Sequence, residues 1–187
     1  MLETLKNAFK IKETEVQYQA HVSDIGWQNI VTNGTIAGTT GQNKGVEALK
    51  LQLSNARNGG IEYRAHVRDI GWQDYVEQNE LAGTTETGLQ IEAIRMKLTG
   101  ELAEQYDIYY RVHATNVGWL GWAKNDEKAG TVGYAYSVQA VEIKICKKNS
   151  AEAPITDGKG FMSEETVGKI MYQTHVQNIG WQNKVYD

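Results

Sequence analysis

Apolar and polar residues alternate with a period of two in several stretches of the chain, and the same stretch returns at intervals. Val16, Tyr18, Ala20 and Val22 interleave with Gln17, Gln19, His21 and Ser23; Ile61, Tyr63, Ala65, Val67 and Ile108, Tyr110, Val112, Ala114 repeat the phase. A two-residue period sends successive side chains to opposite faces, so each stretch is predicted to be a half-buried β-strand. Leu49, Leu51 and Leu53, then Ile94, Met96 and Leu98, then Val141, Ile143 and Ile145 predict a second strand in each copy. Between the two strands Asp-Ile-Gly-Trp reads as a turn that enters a strand at the tryptophan, and Asn33-Gly34 as a tight turn requiring positive φ. Ala-Gly-Thr at Ala37, Ala82 and Ala129 is a candidate fourth strand.

The copies keep fixed internal distances. Histidine precedes tryptophan by six residues at His21 and Trp27, His66 and Trp72, His113 and Trp119, and His175 and Trp181. The glycine of Ala-Gly-Thr lies eleven past the tryptophan at Gly38, Gly83 and Gly130, and Glu47, Glu92 or Gln139 lies nine past that glycine. Only the connection from the last strand to the next copy varies in length, which marks it as a surface loop. Three complete units result, about 13–57, 58–104 and 105–147. The pattern then breaks, and 148–166, holding the only proline, Pro154, is read as a linker. Residues 167–187 start a further, truncated repeat, so the sequence reads as part of a longer protein. Residues 1–12 are read as a terminal segment, either the last strand of a preceding repeat or a short helix.

A unit of three or four short strands cannot cover its own apolar face. The expected fold is therefore all-β, with three tandem repeats closing with pseudo-three-fold symmetry, each supplying one lobe; a β-prism-like body ranks ahead of a β-trefoil-like one. With 187 residues, 41% apolar, the chain is long enough to bury a core without a disulfide or metal staple. Its single cysteine, Cys146, excludes an internal disulfide framework. Nineteen Lys and Arg against 23 Asp and Glu leave a charge of −4, the wrong balance for a nucleic-acid partner. The sequence shows neither a membrane-spanning apolar run nor a signal-peptide segment.

The candidate chemistry is sparse. The four histidines lack metal-ligand spacing, so no metal or other cofactor is expected, although three of them on a three-fold axis could meet at one ion. A hydrogen bond pinning each Asp-Ile-Gly-Trp turn is the simpler role. Glu47 and Glu92 share parity with inward residues and need a partner, either a backbone N–H or the histidine of a neighbouring unit. The sharper alternative, a catalytic carboxylate pair, lacks an accompanying nucleophile motif, and the protein is read as no enzyme. The tryptophans shared by all copies are expected in the core. Three positions on stand Ile30, Tyr75, Trp122 and Lys184. If that stretch is strand, Tyr75 and Trp122 face solvent, where they are the candidate ligand-binding residues, with Gln73 and Asp74 as polar partners.

The blocks His-Val-x-Asp-Ile-Gly-Trp-Gln, Ala-Gly-Thr-Thr and Glu-Ala-Ile-x-x-Lys-Leu resemble the clostridial hydrophobic repeat with a tryptophan, the ChW repeat. The resemblance covers nearly everything outside the termini and linker; Gln139 and Thr131-Val132 depart from it, so the third unit is expected to lack a contact that the others make. It implies a secreted or cell-surface protein of a Gram-positive anaerobe, its repeats attached to further repeats, enzymes or adhesive modules. The function expected is a non-catalytic binding module for carbohydrate, such as cell-wall or extracellular polysaccharide. The alternative is a protein-protein adhesion or spacer module.

Overall fold

The computed structural model describes residues 12–164, 171–172, 175–177, 180–181 and 185–186. Unit 1 contains β1 (Glu15–Val22), β2 (Gly26–Trp27), β3 (Val31–Thr32), β4 (Ala37–Gly38) and β5 (Val46–Ser54). Unit 2 contains β6 (Ile61–Val67), β7 (Gly71–Trp72), β8 (Val76–Glu77), β9 (Ala82–Gly83) and β10 (Ile91–Leu98). A single helical turn, α1 (Leu102–Gln105), seats Leu102 in the core and leads to unit 3. There β11 (Tyr106–Ala114), β12 (Gly118–Trp119), β13 (Ala123–Lys124), β14 (Ala129–Val132) and β15 (Val138–Lys147) repeat the order, followed by β16 (Phe161–Ser163). Beyond them β17 (Met171–Tyr172) pairs with β20 (Val185–Tyr186), and β18 (His175–Val176) with β19 (Gly180–Trp181). The expected preceding strand within 1–12 falls outside the described residues, save for Lys12.

Each unit builds its sheet on one long antiparallel pair: β1 with β5, β6 with β10 and β11 with β15. The inward positions of all six strands meet in a single hydrophobic core, closed from water except for the half-buried Leu53, with Tyr18, Tyr63 and Tyr110 among its largest members. Among the described residues the fold is all-β apart from α1, as the periodicity predicts. The three sheets are separate ladders, so no barrel closes among the described residues.

The Ala-Gly-Thr stretch is indeed a strand, but it leaves its own unit. β4 of unit 1 pairs with β15 of unit 3, β9 of unit 2 with β5 of unit 1, and β14 of unit 3 with β10 of unit 2. Each sheet is thus completed by another unit, in a cycle. The same receiving strand takes two further contacts. The amide of Leu51, Met96 or Ile143 donates to the hydroxyl of Tyr63, Tyr110 or Tyr18 at 3.1, 3.3 or 3.0 Å. The carbonyl of each of these three residues accepts the N–H of Asn79, Asp126 or Gly34 at 2.7 Å. Each tyrosine hydroxyl in turn donates to a carbonyl of its own unit: Glu80, Glu127 or Thr35. A buried hydroxyl carrying one donor and one acceptor is therefore fully used.

After unit 3 the chain over 148–164 runs back across that unit and adds β16 in parallel to β14. A local substitution explains why only this unit takes an extra strand. In units 1 and 2 a glutamine side chain occupies the free edge of the Ala-Gly strand. Gln28 Oε1 accepts from Gly38 N at 2.6 Å, and Gln73 Oε1 accepts from Gly83 N at 2.7 Å. The amide nitrogens return bonds to the carbonyls of the same glycines at 3.3 and 3.1 Å. Unit 3 has Leu120 at that position, and Gly130 N donates instead to the Gly160 carbonyl at 2.9 Å. The backbone group needs a partner, and the returning chain supplies it. Limited proteolysis is accordingly expected to cut first within 151–158, where Ile155 is 86% exposed, and to spare 160–163. First cleavage inside β16 would contradict this pairing.

Candidate functional site

The six-residue distance from histidine to tryptophan is the register of a tight hairpin. His21 faces Trp27, His66 faces Trp72 and His113 faces Trp119 across it, and His175 faces Trp181 in the further copy. Asp24, Asp69 and Asn116 take positive φ of 60°, 62° and 63°, and Gly26, Gly71 and Gly118 follow at 84°, 92° and 85°. Asp, Asn and Gly are the residues that tolerate this conformation, which accounts for the Asp-x-Gly or Asn-x-Gly before Trp27, Trp72 and Trp119. Each histidine ring meets its tryptophan edge to face, at 5.3, 5.3, 5.6 and 5.0 Å between centroids.

The tryptophans are not in the core. Trp27 is 38% exposed and Trp72 and Trp119 are half-buried, all on the polar face that their histidines occupy. Cross-strand pairing with an outward histidine places the tryptophan outward as well, which outweighs the expectation drawn from its recurrence. Tyr75 and Trp122 lie on the same side as their unit's tryptophan instead of opposite it. The chain leaves β7 and β12 directly after the tryptophan, so strand parity does not carry across three residues. In unit 2 the Arg64 guanidinium lies 5.0 Å from the Trp72 ring and 4.5 Å from the Tyr75 ring. In unit 3 Arg111 lies 4.7 Å from Trp119 and 4.8 Å from Trp122. Unit 1 has Gln19 at this position, and Lys50 Nζ stands 5.2 Å from Trp27. Gln73, expected as a ligand partner, is committed to Gly83 as described, while Asp74 is exposed. Arg64 and Arg111 were missed by sequence reasoning. Their signal is a cation at one polar position of the first strand in the two units that carry the second aromatic residue.

Glu47 and Glu92 are 6% and 5% exposed, and a β-bulge explains how they reach a histidine of their own unit. The pairing skips Glu47 between His21↔Ala48 and Val22↔Val46, and skips Glu92 and Gln139 in the same way. The extra residue re-aims its side chain. Glu47 Oε2 lies 3.0 Å from His21 Nδ1 and Glu92 Oε2 lies 3.2 Å from His66 Nδ1, in ion-pair range but out of line for a hydrogen bond. Ser23 Oγ donates to Glu47 Oε1 at 2.7 Å, and Arg68 Nε approaches Glu92 Oε1 to 3.5 Å. In unit 3 Gln139 turns to Asn43 of unit 1 at 3.4 Å, and His113 Nδ1 has no hydrogen-bond partner among the described residues. No three His, Cys, Asp or Glu side chains gather into a metal-ligating group among the described residues.

The outer face of unit 3 is concave. Arg111, Trp119, Asp157 and Phe161 line a groove of about 590 Å3, and Phe161 also walls a second of about 370 Å3 beside Trp122 and Lys128. The returning chain thus separates two aromatic-lined depressions.

A tandem array of all-β units with a histidine-tryptophan hairpin in each, joined by mutual strand exchange, defines a repeat module. The chain belongs to the ChW family, clostridial hydrophobic W, whose family model matches residues 21–55, 66–100 and 113–147. Neither a curated protein nor a solved structure matches it. No described helix is long and apolar enough to cross a membrane.

Proposed function

We propose that the protein is a non-catalytic carbohydrate-binding module of an extracellular or cell-surface protein, and that its cyclic strand exchange closes as a prism about a pseudo-three-fold axis. The observation that carries the reading is the clasp of Arg111 by Trp119 and Trp122 at the rim of the unit 3 grooves. Sugar rings present flat C–H faces that pack on exposed aromatic rings, while their hydroxyls accept hydrogen bonds from a guanidinium and donate them to a carboxylate. Three outward faces in one body offer several weak sites, and a polymeric ligand converts these into avidity. Placement at the cell surface follows the family, whose repeats are expected beside further modules.

Trp119→Ala and Trp122→Ala are each expected to weaken retention on a bound polysaccharide by about tenfold or more, the loss of one aromatic anchor. Both rings lie outside the core, so melting should fall by only a few degrees. Affinity electrophoresis in polysaccharide gels and thermal denaturation measure the two effects, and undiminished retention of both variants would remove the site. A protein-adhesion role is the second reading. It is favoured by the exposed Ile25, Ile70 and Val117 at the three hairpin tips, since apolar side chains repeated on one kind of turn suit a protein surface.

A further inference from the structure

Unit 2 differs from the others in the charge that stands across from its clasped arginine. Arg64 on β6 is paired in register with Arg95 on β10, whereas unit 1 sets Gln19 against Lys50 and unit 3 sets Arg111 against Glu142. Like charges directly opposite one another destabilise a sheet. Arg95 is neutralised from unit 3, its Nη2 lying 2.8 Å from Asp126 Oδ2 while its Nε donates to the Asp126 carbonyl at 2.9 Å. Arg111 is neutralised by Glu142, whose Oε2 accepts from Nε at 2.8 Å and from Nη2 at 2.7 Å.

Arg64 has no carboxylate partner among the described residues. Its Nε is shut off from water and makes no hydrogen bond, and its described contacts are the rings of Trp72 and Tyr75. Tyr75 is itself anchored, since its hydroxyl donates to Asp126 Oδ1. The guanidinium is thus held in place by two rings while the fork of its two Nη groups stays uncommitted among the described residues. Such a group matches a planar carboxylate in bidentate fashion better than a point cation does. The chain's net charge of −4 means that no general field draws anions here, so selectivity must be local.

We propose that unit 2 binds a uronate residue of an acidic polysaccharide, with the sugar carboxylate on Arg64 and the sugar ring against Trp72 or Tyr75. The inference rests on the reading of the outer faces as glycan sites and names the ligand class of one. A carboxylate fits better than a phosphate or sulfate because a single planar fork meets a single planar charge, while the nearby Lys97 is already held 2.9 Å from Glu62.

The test is calorimetric titration of the 187-residue protein with an oligogalacturonate, its methyl ester, a neutral galactan oligosaccharide and polyglutamate. The uronate should bind about tenfold or more tightly than its methyl ester, the worth of a charge-assisted hydrogen bond. Arg64→Gln should abolish that difference, whereas Arg57→Gln, which removes the same charge from an exposed loop, should preserve it. Glutamine is the residue unit 1 carries at this position, and relief of the Arg64–Arg95 opposition should leave the Tm unchanged or higher. Equal binding of uronate and ester, or full uronate affinity in Arg64→Gln, would overturn the assignment and leave the glycan reading intact. Polyglutamate bound as tightly as the uronate and lost with Arg64 would replace it with an acidic peptide. Failure of every saccharide to bind would remove both readings.

Discussion

Gly83→Ala is expected to destabilise the whole body by about 3 kcal/mol or more, because a methyl group at this position has no room and no allowed conformation. Gly83 sits at φ 107°, and a Cβ there would lie 2.2 Å from the Glu47 carbonyl oxygen and 2.8 Å from the Ala48 Cα. Both obstacles are backbone of the receiving strand β5, which cannot swing aside as a flexible side chain would. Relief would require β9 to withdraw from β5, which opens the junction between units 1 and 2 and with it the shared core. Gly34→Ala supplies the comparison, since Gly34 also has positive φ, at 78°, but nothing lies within 4 Å of the added carbon. It should cost about 1 kcal/mol in backbone strain alone. Urea denaturation of the two variants measures the difference. A Gly83→Ala protein no less stable than Gly34→Ala would show that the close approach of β9 to β5 is absent in solution.

A second large effect is expected at alkaline pH. Burial pushes the Tyr63 hydroxyl up to about 12, against the partial offset of the Leu51 amide that donates to it, and burial raises Tyr18 and Tyr110 in the same way. Unfolded tyrosines release their protons near pH 10, whereas the folded ones retain them. The stabilisation from holding these hydroxyls neutral is therefore complete below about pH 10 and is lost as pH rises toward 12, since the unfolded state then binds fewer protons than the native state. For Tyr63 the loss is roughly 3 kcal/mol over that interval, and the other two add losses of the same sign. Lys97 and Lys124, raised by their hydrogen bonds to Glu62 and Asp107, also titrate with this sign. Tyr63→Phe isolates the tyrosine. It should lower stability at pH 8 by about 1 to 3 kcal/mol, because the Leu51 N–H and the Glu80 carbonyl lose a buried partner, and its stability should fall less steeply above pH 10. Equal slopes for the two proteins between pH 10 and 12 would refute the tyrosine locks.

The tyrosines and the glycines belong to one device. Strands β5, β10 and β15 each present an edge that their own unit leaves open, and the neighbouring unit fills it with an Ala-Gly strand, a tyrosine hydroxyl and a turn N–H. A unit in isolation would expose these groups together with its apolar face. Addition of β16 to unit 3 follows the same accounting, with Leu120 in the place of a capping glutamine.

Whereas β16 falls within 148–166, where the repeat pattern gives no strand, the long strands, the hairpin between histidine and tryptophan and most of the apolar faces were legible in the amino-acid order. They depend on alternation and on residues such as Asp24 and Gly26 that select a turn within a few residues of themselves. The candidate site was half legible. Tyr75 and Trp122 stand out against the repeat, but Arg64 and Arg111, which join them to Trp72 and Trp119, are ordinary polar positions until the strands are laid side by side. Three other features were decided by tertiary structure alone. The tryptophans lie outside because hairpin register ties them to outward histidines, Glu47 and Glu92 reach their own histidines because a bulge shifts the parity of one residue, and Ala-Gly-Thr pairs with another unit. Period and spacing report which face a residue shares with its near neighbours along one strand. Which strand lies beside it, and therefore which backbone carbonyl a Gly83 or a Tyr63 must meet, is set by the need of each unit to cover an edge and a face that it cannot cover itself.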